Sequence, residues 1–291
     1  MIVDVHSHCW PRLDCFSPAF QADARRMRLG PVDLVTRPED YWSATGGEDV
    51  VAVVFGGKAR LSGVWIDDDE VAAQVAREPS RTIGFMSVDP TQPGWEDEMR
   101  DGRERLGLKG IKLLPMYAGF YPHEDRLDPL WRYAARHGLP VLLHAGTTFV
   151  SVAPLDCTLP RHLDAVAIKH PDARIILAHL GHPYEGETVA VIRKHPNVFA
   201  DISALFYRPW QLFHSLMLVH EYNVWDKLLF GTDFPVTTVA ETVAGLRSLA
   251  EVRVDRFGLP AEQIERLIHR DALALLGLER PSRTTAGEGR P

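Results

Sequence analysis

Eight short apolar runs, spaced through the chain and mostly separated by stretches of helical periodicity, constrain its fold more than any other feature. The runs are Ile2–His6, Val50–Phe55, Thr82–Val88, Gly110–Leu114, Pro140–His144, Arg174–Ala178, Val198–Ile202 and Lys227–Phe230. Several, such as VVAVVF, PVLLH and RIILAH, are apolar at consecutive rather than alternating positions. Continuous apolarity marks a strand buried on both faces, as in a parallel sheet covered by helices. Amphipathic stretches at Asp69–Arg77, Trp95–Leu106, Leu127–His137, Arg161–His170, Glu187–His195 and Glu241–Leu249 fit the helices between them. This alternation predicts a (β/α)₈ TIM barrel. A doubly wound dinucleotide fold is the alternative, but no G-x-G-x-x-G follows any run. No repeat of fixed period is present.

Residues 9–49 form a long insertion after the first strand, rich in Pro, Arg, Asp and aromatic residues. On a barrel it falls on the active-site face, as a lid or substrate wall. One barrel domain over 1–280 is expected, followed by a polar, Pro/Gly-rich disordered tail at 281–291. With 291 residues, 45% of them hydrophobic, the chain is long enough for one such barrel. A net charge of −7 disfavours a nucleic-acid partner. The cysteines Cys9, Cys15 and Cys157 form no CxxC pair or disulfide framework, which points to a reducing, cytoplasmic setting. No leader-like segment precedes the first strand, and no apolar run is long enough to span a bilayer. A homo-oligomer is compatible with this sequence.

Histidine is the unusual count, at 13. His6 and His8 close the first strand as H-S-H, and strand residues two apart share a face, so both rings can converge on one point. Asp4 is expected on the same face, one step deeper. His144 ends the fifth run, His179 ends the sixth, and Asp233 follows the eighth in LLFGTDFP. Barrel catalytic groups come from the C-terminal ends of strands, so these residues would ring one mouth. Each alone is as well explained as a satisfied buried polar group. Together they read as a site for a divalent metal. Imidazoles with a carboxylate suit Zn²⁺, while Mn²⁺ and Fe²⁺ are compatible with the same ligand types.

These residues resemble the amidohydrolase superfamily. The tracts GFMSVDP, KGIKLLP, AHLGHP and PNVFADIS are similar to its amidohydrolase-related branch, which includes the aminocarboxymuconate semialdehyde decarboxylase-like enzymes. The resemblance runs from residue 2 to about 278 and specifies no substrate. It implies that His6, His8, His144 and Asp233 hold one ion and that His179 is the catalytic histidine. Lys112, which ends the fourth run, matches a position where binuclear members carry a carbamylated lysine between two metals. The branch resemblance favours a lysine that anchors a substrate carboxylate.

Two reactions follow from the same residues. In a hydrolase acting on an ester, lactone or amide, the metal lowers the pKa of its water toward roughly 7, Asp233 accepts the proton and His179 polarises the carbonyl. This is the expected activity. In the alternative, a non-oxidative decarboxylase of an aromatic or muconate-type acid, His179 or Asp233 handles protonation at the carbon that loses CO₂. A metal-storing or interaction module is a third class, against which an open buried site argues. Trp10, Arg12, Lys58, Phe149, Phe206, Tyr207 and Arg208 follow strand ends and are candidate substrate contacts by location. Arg12, Lys58, Lys112 and Arg208 favour a small carboxylate-bearing substrate. Asp201 is expected to orient a ligand histidine. Cys9 is expected to be a structural core residue, and His182 a supporting or surface group.

Overall fold

The structure, a computed structural model, describes residues 1–27 and 33–281. Eight parallel strands form one sheet in chain order: β1 (Ile2–His8), β2 (Val50–Phe55), β3 (Thr82–Ser87), β4 (Ile111–Leu113), β5 (Val141–Leu143), β6 (Ile175–Leu177), β7 (Val198–Asp201) and β8 (Leu228–Leu229). The last strand returns to the first. Val5 N donates to Phe230 O, Asp233 N to His6 O and His8 N to Phe234 O, at 2.8–3.0 Å. The sheet is thus a nearly closed barrel with helices between its strands, a (β/α)₈ TIM barrel, as the alternation of apolar runs predicts.

Each strand is buried on both faces. Val51, Val53, Ile83, Leu142, Ile176, Phe199 and Leu229 pack in one cluster, and the intervening Val50, Ala52, Val54, Val141, Leu143, Ile175 and Leu177 pack in another. The first set fills the barrel; the second meets the surrounding helices. Each Val, Ile, Leu or Phe side chain removed from water contributes roughly 1.5–3 kcal/mol, so neither face tolerates a polar residue without a partner. The helix Ala272–Leu276 packs into the interior cluster through Ala272, Leu273 and Leu276.

Strand β1 departs from simple alternation. Val3 and Val5 join the interior cluster, yet His6 and His8 both stand against Phe55 of that cluster, with ring centroids 5.0 Å away. A register irregularity against β2 between Asp4 and Ser7 accounts for this. Such a bulge shifts the side-chain phase by one residue. Asp4 therefore does not share the histidine face, as regular alternation predicted. It takes hydrogen bonds from Tyr41 Oη, Thr232 N, Thr232 Oγ1 and His6 N.

The observed helices begin and end within about two residues of the sequence-based bounds. The helix Pro209–Glu221 was not anticipated, because its sequence, PWQLFHSLMLVHE, is apolar nearly all round. The insertion after β1 carries a short turn at Leu13–Cys15 and helices Pro18–Met27 and Pro38–Ser43. A further hairpin pairs Lys58–Ala59 with Val64–Trp65 after β2. The tail expected at 281–291 lies, except for Pro281, outside the described residues. Among the described residues no helix is long and apolar enough to cross a membrane.

Candidate active site

A cavity of about 370 Å³ opens at the C-terminal ends of the strands. His6, His8, Lys112, His144, His179 and Asp233 all line it. Five strands or their following turns thus deliver one polar group each or two, as barrel geometry allows. The insertion supplies Trp10, Phe16, Phe20, Ala24 and Leu34 as a wall, and Tyr117, Phe149, Tyr207 and Arg208 complete the enclosure.

His6 is the most determined of these residues. Its Nδ1 lies 2.9 Å from Asp201 Oδ2 and 3.1 Å from Ser203 Oγ, and its Nε2 lies 3.0 Å from Asp233 Oδ1. His8 Nε2 reaches the same Asp233 oxygen at 2.9 Å. Trp10 stacks on the His8 ring at 4.2 Å. His179 Nδ1 faces the carbonyl of Ser203 at 3.2 Å and its hydroxyl at 2.8 Å. A carbonyl only accepts, so Nδ1 carries the proton of a neutral ring and Nε2 keeps its lone pair. His179 and Asp233 have φ of 58° and 65°, the left-handed region that side chains other than glycine seldom occupy. The surrounding bonds over-determine both, a pattern that concentrates at functional sites.

The charges follow from burial and partners. Burial opposes ionisation of Asp233 and Asp201, yet the surrounding histidines and, for Asp201, the Ser203 hydroxyl hold both below the ordinary carboxylate range. Burial pushes His8 and His179 down to about 4 and His144 well below its usual value. It presses His6 the same way, but Asp201 and Asp233 outweigh burial and raise it. Burial lowers Lys112 to about 7. Its Nζ lies 3.4 Å from His6 Nε2 and 4.3 Å above the Phe55 ring, and it forms no ion pair among the described residues.

The donor set suits a cation. Asp201 accepts from His6 Nδ1–H, which leaves the Nε2 lone pair of a neutral ring facing an Asp233 oxygen 3.0 Å away. Two lone pairs at that distance call for a proton or a metal ion between them. His8 Nδ1 is in addition buried with no hydrogen-bond partner among the described residues. The ligand atoms of His6, His179 and Asp233 lie within 4.8 Å of one another. This grouping differs from the set implied by resemblance: it includes His179, while His144 Nε2 turns to the carbonyl of Thr147 at 3.0 Å.

Other sequence candidates divide clearly. Trp10, Lys112, Phe149, Tyr207 and Arg208 reach the cavity. Arg12 does not; its side chain is 55% exposed and pairs with Glu70 and Asp14. Phe206 packs where a Gly245 side chain would stand, at 3.0 Å. Lys58 is held by Asp68 and Glu98, each at 3.0 Å. Cys9 is buried in the core, and burial pushes its thiol up to about 12. Asp201 does orient His6. Ser203, which ties His6, His179 and Asp201 together, and Tyr117, whose ring meets His144 at 4.9 Å, were not singled out from sequence. The FADIS tract contained the signal for Ser203, two residues past Asp201 on the same face.

Comparison with known proteins bears on the fold and the family. No curated protein matches the sequence. An uncharacterized TIM-barrel protein from Bordetella bronchiseptica superposes with a TM-score of 0.73 at 19% identity, over 95% of this chain and 99% of that one. A probable 2-pyrone-4,6-dicarboxylic acid hydrolase from Acinetobacter baumannii, with citric acid bound, gives 0.65 at 14% identity, covering 95% and 99%. A 5-carboxyvanillate decarboxylase from Novosphingobium aromaticivorans, complexed with manganese and 4-hydroxy-3-methoxy-5-nitrobenzoic acid, gives 0.66 at 15% identity, covering 96% of each chain. Likeness at such identities shows the fold. The sequence itself matches the amidohydrolase family model across residues 3–278, so this chain belongs to the amidohydrolase family and is built as an enzyme of that superfamily.

Proposed function

We propose that the protein is a metal-dependent, non-oxidative decarboxylase of a small aromatic carboxylic acid. The observation that carries this reading is the pairing of a buried ammonium group, Lys112, with aromatic cavity walls. Lys112 forms no ion pair among the described residues, so a substrate carboxylate is its natural counter-ion. A carboxylate beside it favours its charged form and offsets the burial that lowers its pKa. Trp10, Phe16, Phe20, Tyr117 and Phe149 provide flat apolar surfaces suited to a ring. A volume of about 370 Å³ lies at the small end of ligand pockets.

His6, Asp233 and His179 are the residues that would hold a single divalent ion, with His8 on the shared Asp233 oxygen. Zinc suits these donors, and manganese is present in the similar 5-carboxyvanillate decarboxylase. When bound, the ion supplies a Lewis acid for an anionic substrate oxygen. The chain's own residues do the rest. Asp201 and Ser203 fix the His6 and His179 rings. The insertion wall lines the cavity with apolar side chains, and apolar surroundings favour loss of neutral CO₂ from a carboxylate whose charge spreads into the ring as the bond breaks.

A hydrolytic reading, placed first by the sequence, keeps one supporting observation. Asp233 is held ionised and is thereby able to accept a proton. The similar fold of a probable 2-pyrone-4,6-dicarboxylic acid hydrolase agrees with it. The test is a screen of the metal-loaded protein against hydroxybenzoates and carboxylated lactones with coupled CO₂ detection. Release of CO₂ from a hydroxybenzoate is expected. Lactone opening without CO₂ release overturns the decarboxylase reading.

A further inference from the structure

Decarboxylation needs a proton at the carbon that loses CO₂, and the groups around the metal-binding cluster are already committed. Asp233 Oδ1 faces both His6 Nε2 and His8 Nε2, and the His179 Nδ1 proton is held by Ser203. One imidazole in the cavity points its ring away from that cluster's ligand atoms, although its backbone N donates to the His179 carbonyl at 2.9 Å. His182 lines the same wall, with its side chain 14% exposed. Its Nδ1 lies 3.3 Å from Oε1 of Glu185. Glu185 is buried, and the same oxygen accepts from Gln211 Nε2 and from Ser215 Oγ at 3.1 Å.

A carboxylate only accepts, so His182 Nδ1 carries a proton and Nε2 becomes the working edge of the ring. Among the described residues no protein group meets Nε2. The backbone is fixed as firmly as the ring. Thr147 N donates to the His182 carbonyl at 2.8 Å. Gly146 has φ of 103°, and a Cβ there would sit 2.0 Å from that carbonyl oxygen, so the β5 loop closes on His182 without a side chain between them. A second carboxylate–histidine pair therefore faces the cavity, in the same arrangement as Asp201 and His6 but outside the group that could hold the ion.

We propose that His182 is a catalytic residue that exchanges a proton with the substrate, and that Glu185 is its positioning residue. Resting on the decarboxylase reading, the step is as follows. Protonated His182 delivers the Nε2 proton to the ring carbon that bears the carboxylate. The bond from that carbon to the carboxylate breaks, its electron pair restores the aromatic ring, and CO₂ leaves. His182 regains a proton from water. In a hydrolase the same nitrogen serves proton transfer to the leaving oxygen.

The test uses zinc-loaded full-length protein with the variants His182→Asn, Glu185→Gln and Glu185→Asp. On whichever substrate class the wild type turns over, His182→Asn is expected to lower kcat about 100-fold, with KM and metal content unchanged, as loss of a general acid does. Added imidazole restores part of the rate. Glu185→Gln lowers kcat with KM unchanged, and Glu185→Asp recovers it in part. Retention of kcat within about threefold of wild type by His182→Asn overturns the proposal, since proton transfer contributes more than that. The decarboxylase reading fails separately, when the wild type opens lactones without releasing CO₂. If neither class turns over, ¹⁵N NMR of the imidazoles decides: 2-hydroxybenzoate shifts the His182 ring nitrogens, or it leaves them unmoved and the proposal falls.

Discussion

Replacing Asp201 by Asn tests how the site selects its metal ligand, because the carboxylate cannot be exchanged for an amide without a forced orientation. Asp201 Oδ1 takes three donors: His179 N at 3.0 Å, Ser203 N at 3.0 Å and the Ser203 hydroxyl. An asparagine must keep its carbonyl there, since turning the amide over would set its NH₂ against three donors. The NH₂ is then left facing His6 Nδ1, where Oδ2 stood at 2.9 Å. His6 Nδ1 must become an acceptor, the ring proton moves to Nε2, and the lone pair directed at the ion is lost. Disturbing such a supporting carboxylate weakens metal binding by roughly 10–100-fold, equivalent to about 1.4–2.8 kcal/mol. We expect the Asp201→Asn protein to remain folded by circular dichroism and to release zinc to a chelator at a 10–100-fold lower competitor concentration. Zinc affinity within about twofold of wild type would refute this tautomer argument.

Four further outcomes follow. Because His144 Nε2 is turned to Thr147 whereas His179 stands with His6 and Asp233, His179→Ala should lose more metal than His144→Ala by elemental analysis; the reverse order restores the set implied by family resemblance. Metal content should fall as pH falls. His8 and His179, lowered to about 4, stay neutral ligands through the mildly acid range, while raised His6 takes up its competing proton first. Metal content that is flat from neutral pH to about 4 by dialysis rules out these ligands. Lys112→Met should weaken binding of a benzoate-type inhibitor by about 10–100-fold, the worth of a hydrogen bond to a charged group. The wild type should carry one metal per chain even after bicarbonate treatment, and two equivalents would assign Lys112 a bridging role instead.

The barrel was legible because burial on both faces writes itself as consecutive apolar residues, and eight such runs admit few arrangements. The strand ends that carry chemistry were legible for the same reason: His144 and His179 are polar residues at the ends of apolar strands, where a barrel gathers its groups. What the chain concealed was contact across sequence. Arg12, Phe206 and Arg208 were equivalent by position after a strand, yet only Arg208 reaches the cavity, because Glu70 draws Arg12 away and Phe206 packs against Gly245. His182 read only as a supporting or surface group because its partner Glu185 is itself fixed by Gln211 and Ser215 on another helix. The displacement of Asp4 was hidden too, since a bulge leaves no mark in the pattern of residue types.

That bulge divides β1 into two stretches answering to different demands. Up to Val5 the strand serves folding, and any inward side chain of suitable bulk would do. From His6 onward it serves chemistry, and only the imidazoles fit the partners that wait for them. Without the slip, Ser7 would have followed Val5 inward, and His6 and His8 would have pointed toward the helices. Straightening the strand without removing a residue would therefore preserve the barrel's composition while turning its reactive groups to the wrong side. The irregularity thus frees the base of the strand to answer to packing alone while its tip answers to the site.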